Sequence, residues 1–220
     1  MTRATIQSLR VGKPQTIGKN VWTAIIKEPV HTGSCFLHET HLSGDEQADT
    51  INHGGHDKAV CAYPYEHYAY WNDRLETSLP LGGFGENITT QHLLEKDVRI
   101  GDTFRWGKAI VQVSQPRKPC YKLAERHGIK KLPLYVEETG YSGYYFRVLA
   151  AGEVQASDAL ELIERRSDVS VADVNEVTFY DAANKERVVA LLALPELAGA
   201  WKDVVRKKYE RVRSSAEEST

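Results

Sequence analysis

The chain has 220 residues, 41% hydrophobic and 26% charged, a composition that fits a folded globular protein and excludes a fibre or a disordered tail. Its 28 Lys and Arg against 30 Asp and Glu leave a net charge of −2. No overall field therefore draws nucleic acid or an anionic membrane, and any anion has to be caught by a local cluster.

At about 150 residues per domain the length suits one large domain, or one with a small appendage. No apolar run approaches the ~18 residues of a membrane span, and the opening MTRATIQSLRVGKP lacks the apolar core of a secretory signal, so the expected location is the cytoplasm. Cys35, Cys61 and Cys120 are odd in number and form no CxxC, which excludes a disulfide framework and a four-thiolate iron–sulfur site. Met1 is the only methionine, so a thioether-rich copper site is absent too.

Up to about residue 165 the chain is short runs of Val, Ile, Tyr, Phe and Thr between Gly and Pro, which predicts strands. The first chemically suggestive stretch is NHGGHDKAV, residues 52–60. Gly54 and Gly55 allow a backbone to approach a ligand closely, Lys58 offers a point charge for phosphate, and His53 and His56 offer ring nitrogens. A zinc site with His67 or Cys120 as a further ligand is a weaker reading, because nothing in the spacing fixes its geometry. Residues 63–75 carry apolar or aromatic groups at helical spacing. GGFGENI, residues 82–88, is a glycine-dense turn in which Asn87 can donate and accept toward a heterocycle. Residues 101–107 read as a strand between tight turns. Val111 and Val113 alternate with Gln112 and Ser114 on a strand that stops at Pro116.

The most informative stretch follows: QPRKPCYK, residues 115–122. Two prolines fix the backbone, and a predicted helix over 120–127, closed by Gly128, puts Cys120 at its start, where helix dipole and neighbouring charge favour a thiolate. Cys120 is then a reactive or metal-binding sulfur, unless it is a buried structural cysteine, the reading that suits Cys35 and Cys61. Arg117, Lys118, Lys122 and Arg126 place four cations within ten residues: a phosphate site or a solvated basic helix. Residues 144–149, with a Gly152 turn and 154–156 behind them, and the alternating run from Leu160 to Ile163 are predicted strands that close as a hairpin.

Past residue 167 the pattern turns helical: Ser170 with Asp173 is a capping-box start, 184–194 is a helix stopped by Pro195, and Leu197, Ala200, Trp201, Val204, Val205 and Lys208 step at helical spacing. Their apolar stripe has to be covered by the pocket mouth, the sheet edge or a second copy. Residues 202–213 hold six basic residues and two acids, read as a solvated face rather than a nucleic-acid surface. No GxGxxG opening a helix, GxxxxGK[ST], GxSxG or HExxH occurs.

HGGHDKAVCAYPYEHYAYW, GGFGENIT and VRIGDTFRWGKAIVQVSQPRKPCYKLAERHG, in this order, resemble the bacterial YiiM type of MOSC-domain protein, the molybdenum cofactor sulfurase C-terminal domain family. The resemblance implies a mainly β fold: a MOSC β-barrel-like domain over 1–165 and a small all-α three-helix domain over 166–213; the last residues, SSAEEST over 214–220, are expected to fray as a polar terminus. It implies the pyranopterin molybdenum cofactor, with Cys120 as the metal's protein ligand. His53, Gly54, Gly55 and Lys58 would line the pocket, Asn87 would bond the pterin, and Gln115, Arg117 and Lys122 would hold phosphate or pterin edge.

The activity it implies is reduction of N-hydroxylated compounds such as 6-hydroxylaminopurine to amines, removing mutagenic base analogues. His53 or His56 would deliver protons, and Tyr63, Tyr65, Phe84 or Tyr121 would stack the base. With no flavin, haem or iron–sulfur signature in the chain, an external reductase is the expected electron donor. No stable nucleic-acid complex and no membrane partner are expected, and the chain is a monomer or homodimer. The rival readings are a non-catalytic carrier of the cofactor and a thiol or zinc enzyme with Cys120 as nucleophile.

Overall fold

A computed structural model describes residues 3–30, 33–49 and 54–217. In chain order it contains β1 (Arg3–Val11), β2 (Gln15–Ile17), β3 (Val21–Thr23), β4 (Glu28–Pro29), β5 (Cys35–Leu37), a 3₁₀ turn (His56–Lys58), β6 (Val60–Pro64), α1 (His67–Arg74), β7 (Ile88–Gln91), β8 (Thr103–Trp106) and β9 (Ala109–Pro116). Then come α2 (Tyr121–His127), α3 (Leu132–Thr139), β10 (Tyr144–Ala150), β11 (Gly152–Val154), β12 (Leu160–Glu164), α4 (Val171–Phe179), α5 (Lys185–Ala193) and α6 (Gly199–Glu217).

Seven strands close a barrel in the order β12-β8-β9-β10-β6-β7-β1, because β1 pairs back onto β12 at Arg3↔Glu161 and Ala4↔Leu160. Closure removes the sheet edges and packs the inward faces as a core. Ala4, Val60, Ile88, Phe104, Val111 and Phe146 are each at most 1% exposed. Among the described residues only β6 and β7 run parallel, and the connection that parallel pairing requires carries α1.

The predicted hairpin is corrected here. β10 lies between β9 and β6, β12 between β8 and β1, and β11 pairs with β5. Alternation gave each strand its inward face, but barrel closure, a long-range constraint, chose the partners. The predicted helix over 63–75 is also shorter: Tyr63 and Pro64 belong to β6, and α1 begins at His67. A bulge in β9 matters for the site. Tyr145 pairs with Gln115 while Phe146 pairs with Val113, so Ser114 is the extra residue. Val113 therefore faces the barrel core and Gln115 the other side.

The helical part is built as its caps predict. Ser170 and Asp173 form a reciprocal capping box on α4, and Asn184 caps α5. Residues 214–217, expected to fray, continue α6 to Glu217, and 218–220 lie outside the described residues. Backbone bonds from Val171 to Val98, from Ala172 to Glu95 and from Ala198 to Ser114 dock the helices on the barrel. Leu197, Trp201 and Val205 join the barrel's own core, so the apolar stripe is covered within the chain. Each such large side chain contributes about 1.5–3 kcal/mol by leaving water. Among the described residues no helix is long and apolar enough to cross a membrane.

Candidate functional site

Where β9 leaves the barrel, Pro116 ends pairing and Arg117 N–H donates to the Gly143 carbonyl at 3.0 Å. The chain then reaches Cys120, extended at φ −132°, as the N-cap of α2, and Gly128 at φ 69° closes that helix in the left-handed conformation. The Cys120 side chain makes no capping bond, and the residue is half-buried. It lines two adjoining spaces: an inner hollow of about 80 Å³ and an outer groove of about 870 Å³. Lys58, Lys122, Tyr145 and the acid Asp49 line both. The inner hollow alone is too small for an organic cofactor, while the groove falls in the ~300–1,000 Å³ range of ligand sites.

The electrostatics are cationic and incompletely satisfied. Arg117 is 5% exposed; its Nη2 donates to the Phe84 carbonyl at 2.7 Å, and its buried Nη1 has no partner. Burial opposes the guanidinium charge, the sulfur and phenol groups of Cys61, Tyr145 and Cys120 favour it, and the net shift is upward, so it stays protonated. Gln115, 3% exposed and lining the groove, donates through Nε2 to the Pro116 carbonyl and leaves Oε1 without a partner. Lys122 is 9% exposed, with no hydrogen bond or ion pair among the described residues. Burial lowers the Lys58 ammonium, with Asp57 and Asp49 pulling the other way. Burial pushes the Cys61 thiol up to about 11, with Arg117 opposing, so this second sulfur of the hollow is held protonated at neutral pH.

Six of the expected residues thus come together: Lys58, Asn87, Arg117 and Lys122 line the hollow with Cys120, and Gln115 lines the groove, which Lys58, Cys120 and Lys122 share. Others do not. Gly54, Gly55 and His56 lie outside the lining of both spaces; His56 is exposed on the 3₁₀ turn that carries Lys58 inward two residues later. His53 lies outside the described residues. Asn87 is a clamp as well as a wall, since Oδ1 accepts from Cys61 N–H and Nδ2 donates to the Arg10 carbonyl.

Tyr63 cannot stack a ligand: it is fully buried, parallel to Phe84 at 4.1 Å and bonded to Trp71 Nε1. Tyr65 lines neither space, whereas Tyr121 is 61% exposed on the groove. Arg126 is drawn away to the carbonyls of Ile25 and Gly82, both at 2.6 Å. His67 is committed to Glu95 at 2.7 Å, and among the described residues no group of three or more His, Cys, Asp or Glu is placed to hold a metal ion.

The sequence matches the MOSC domain family over residues 49–161 and the YiiM-like, 3-alpha helix domain family over 169–211. YflK, an uncharacterized protein of Bacillus subtilis (strain 168), is 44% identical over 214 residues, 96% of either chain. The chain belongs to the MOSC-domain family. YiiM from Geobacillus stearothermophilus, known from its crystal structure, has a TM-score of 0.80 and 36% identity, covering 94% of this chain and 99% of that one. A protein named Reductase in Gibberella moniliformis (strain M3125 / FGSC 7600) is 34% identical over 70% of this chain, which spans 28% of that protein's length. The MOSC match begins at residue 49, yet this MOSC barrel is closed by β1, which lies before it.

Residues outside every motif complete the lining of the hollow and the groove. Lys27 and Asp45 form a buried ion pair in the hollow, with Asp45 also accepting from Gly12 N–H at 2.8 Å. Tyr145 arrives through the bulge, and α6 contributes Ala200, Val204 and Lys207 to the groove. From the sequence, only the helical stripe with Ala200 and Val204, one of whose expected covers is the pocket mouth, pointed to any of these.

Proposed function

We propose that this MOSC protein is an oxidoreductase that holds the molybdenum cofactor with Cys120 as protein ligand to the metal and reduces N-hydroxylated compounds, such as 6-hydroxylaminopurine, to amines. The observation that carries the reading is the pair of buried polar atoms without partners beside Cys120, Arg117 Nη1 and Gln115 Oε1. Such orphans are costly in a folded chain and point to a group that completes them. The donor set fits an anionic pyranopterin: a guanidinium and two lysines suit a phosphate, an amide oxygen accepts from a pterin N–H, and a soft sulfur suits the metal. The name Reductase on a relative supports redox chemistry.

When bound, the group supplies the two-electron chemistry that takes the N-hydroxyl oxygen. The residues do the rest. Arg117 and Lys122, fixed by burial, hold the anionic end; Gln115 orients the planar end through its free Oε1; Tyr121 and Trp22, both exposed on the groove, give a planar base something to stack on. Overall the substrate gains two electrons and two protons, its N–O bond breaks and water leaves. Lys58, its ammonium lowered by burial, stands at the meeting of hollow and groove as a proton donor. An external reductase supplies the electrons.

The test is elemental analysis after expression in a host that makes the cofactor, alongside turnover of 6-hydroxylaminopurine with a reduced dye. Wild type is expected to carry about one molybdenum per chain and to turn over, while Cys120→Ala loses turnover. Molybdenum-loaded protein without turnover would establish the carrier reading instead, and turnover by metal-free protein the thiol-enzyme reading.

A further inference from the structure

A second cleft, of about 520 Å³, opens where α4 of the helical domain meets α1 and α3 of the barrel domain, and it shares no lining residue with the Cys120 spaces. Glu66, Glu95, Glu138, Asp173 and Glu176 line it, with Lys96 as its only described Lys or Arg. Most of this acidity is structural. Glu95 holds His67 and Gly143 N–H, Asp173 closes the α4 capping box, Glu176 holds Arg187, and Glu138 reaches Arg74 at 3.5 Å.

What is left over is specific. Asn175, 3% exposed, donates through Nδ2 to Ser142 Oγ at 2.9 Å, and Ser142 in turn donates to the Gly143 carbonyl at 2.7 Å. That chain of donors fixes the amide's orientation and leaves its buried Oδ1 with no partner on the cleft wall. Glu66 spends Oε1 on His92 N–H at 2.7 Å, and its buried Oε2 also has no partner. Both orphans are acceptors, and both lack a donor. Beside them Tyr141 lies flat on His67, 3.8 Å between ring centroids, with Tyr70 edge-on at 5.2 Å and Arg74 already donating to Tyr70 Oη at 2.6 Å, an aromatic wall that cations approach.

We infer that this cleft binds a small organic cation of the amine or guanidine class, whose N–H groups satisfy Asn175 Oδ1 and Glu66 Oε2 at once. A metal ion is the poorer occupant, since no described group of three or more His, Cys, Asp or Glu is placed to hold one. Because Glu66 belongs to the barrel domain and Asn175 to α4, the ligand bridges the two domains.

Calorimetric titration of the full chain with agmatine, which carries both an amine and a guanidinium, tests the inference without needing molybdenum. We expect saturable binding that added salt weakens, that Cys120→Ala leaves unchanged, and that Glu66→Gln weakens about tenfold or more. Asn175→Leu is expected to abolish it; that variant also takes a donor from Ser142, so Glu66→Gln, which keeps the acceptor for His92, decides the case if Asn175→Leu fails to fold. No binding at millimolar agmatine, binding indifferent to Glu66→Gln, or equal binding of a neutral amide of the same length overturns it.

Discussion

The hollow around Cys120 and the GGFGEN loop beside it are made of the same materials, cations and turn backbone, and treat them in opposite ways. In the loop every strong group is closed upon another. The Glu86 carboxylate, fully buried, accepts from Tyr68 Oη, Gly82 N–H, Phe84 N–H and Thr89 Oγ1, while Arg126 and His127 cap the carbonyls of Gly82 and Gly83. In the hollow Arg117 Nη1 is left open, and so is Gln115 Oε1 in the adjoining groove. Closed polar networks stabilise a fold; open ones are kept where a ligand closes them. A cluster of cations in a sequence therefore says little until the structure shows which members are already engaged.

The strongest way to break that contrast is at Glu86. Glu86→Ala strands several buried donors, each costing about 1–3 kcal/mol, so a loss of about 3–5 kcal/mol is expected in urea unfolding. A loss below about 1 kcal/mol would mean the loop's network is not what holds it. The two arginines give the next test. Arg126→Met frees the carbonyls of Ile25 and Gly82 and is expected to cost about 1–3 kcal/mol. Arg117→Met loses one bond, to Phe84, but removes an orphaned buried N–H, so cofactor-free stability should move by less than about 1 kcal/mol while molybdenum content falls about tenfold or more. If Arg117→Met proves the more destabilising of the two, Arg117 is a structural group and the proposed site loses its anchor.

The same contrast explains what could be read from the chain. Local devices were legible: the Ser170 capping box, the Gly128 helix end, the β9 alternation stopped by Pro116, and Cys120 at a helix start among cations. Each is written within a few residues. The misreadings needed distant partners. The hairpin failed because β12 pairs with β1, at the far end of the barrel domain. Tyr63 looked like a stacking platform until Phe84 and Trp71 enclosed it. Helix α3 has no counterpart in the sequence reading: Pro133 in its first turn and the β-branched Val136 and Thr139 blur its pattern, and the structure ends it at a left-handed Gly140. Lys27 and Asp45 lie 18 residues apart with no motif between them, and Arg126, indistinguishable from Arg117 by composition, turned out to serve the loop.

His127 sharpens the comparison by pH, with the smallest effect. Its Nε2 lies 2.7 Å from the Gly83 carbonyl, so the neutral ring is held as the tautomer that donates there. Burial, the largest cause, lowers its protonation below the ordinary 6.5; the Gly83 bond opposes that shift and Arg126 adds to it. With a folded pKa below the unfolded one, the unfolded chain takes up the proton first on acidification. This part of the stability is then complete above pH 6.5 and is lost as pH falls from there through the folded value. Unfolding midpoints of wild type should therefore fall across that window more steeply than those of His127→Gln, whose amide can donate to the same carbonyl without titrating. Parallel slopes for the two proteins would show that His127 is not held neutral by the loop, and that the GGFGEN network is less closed than its geometry indicates.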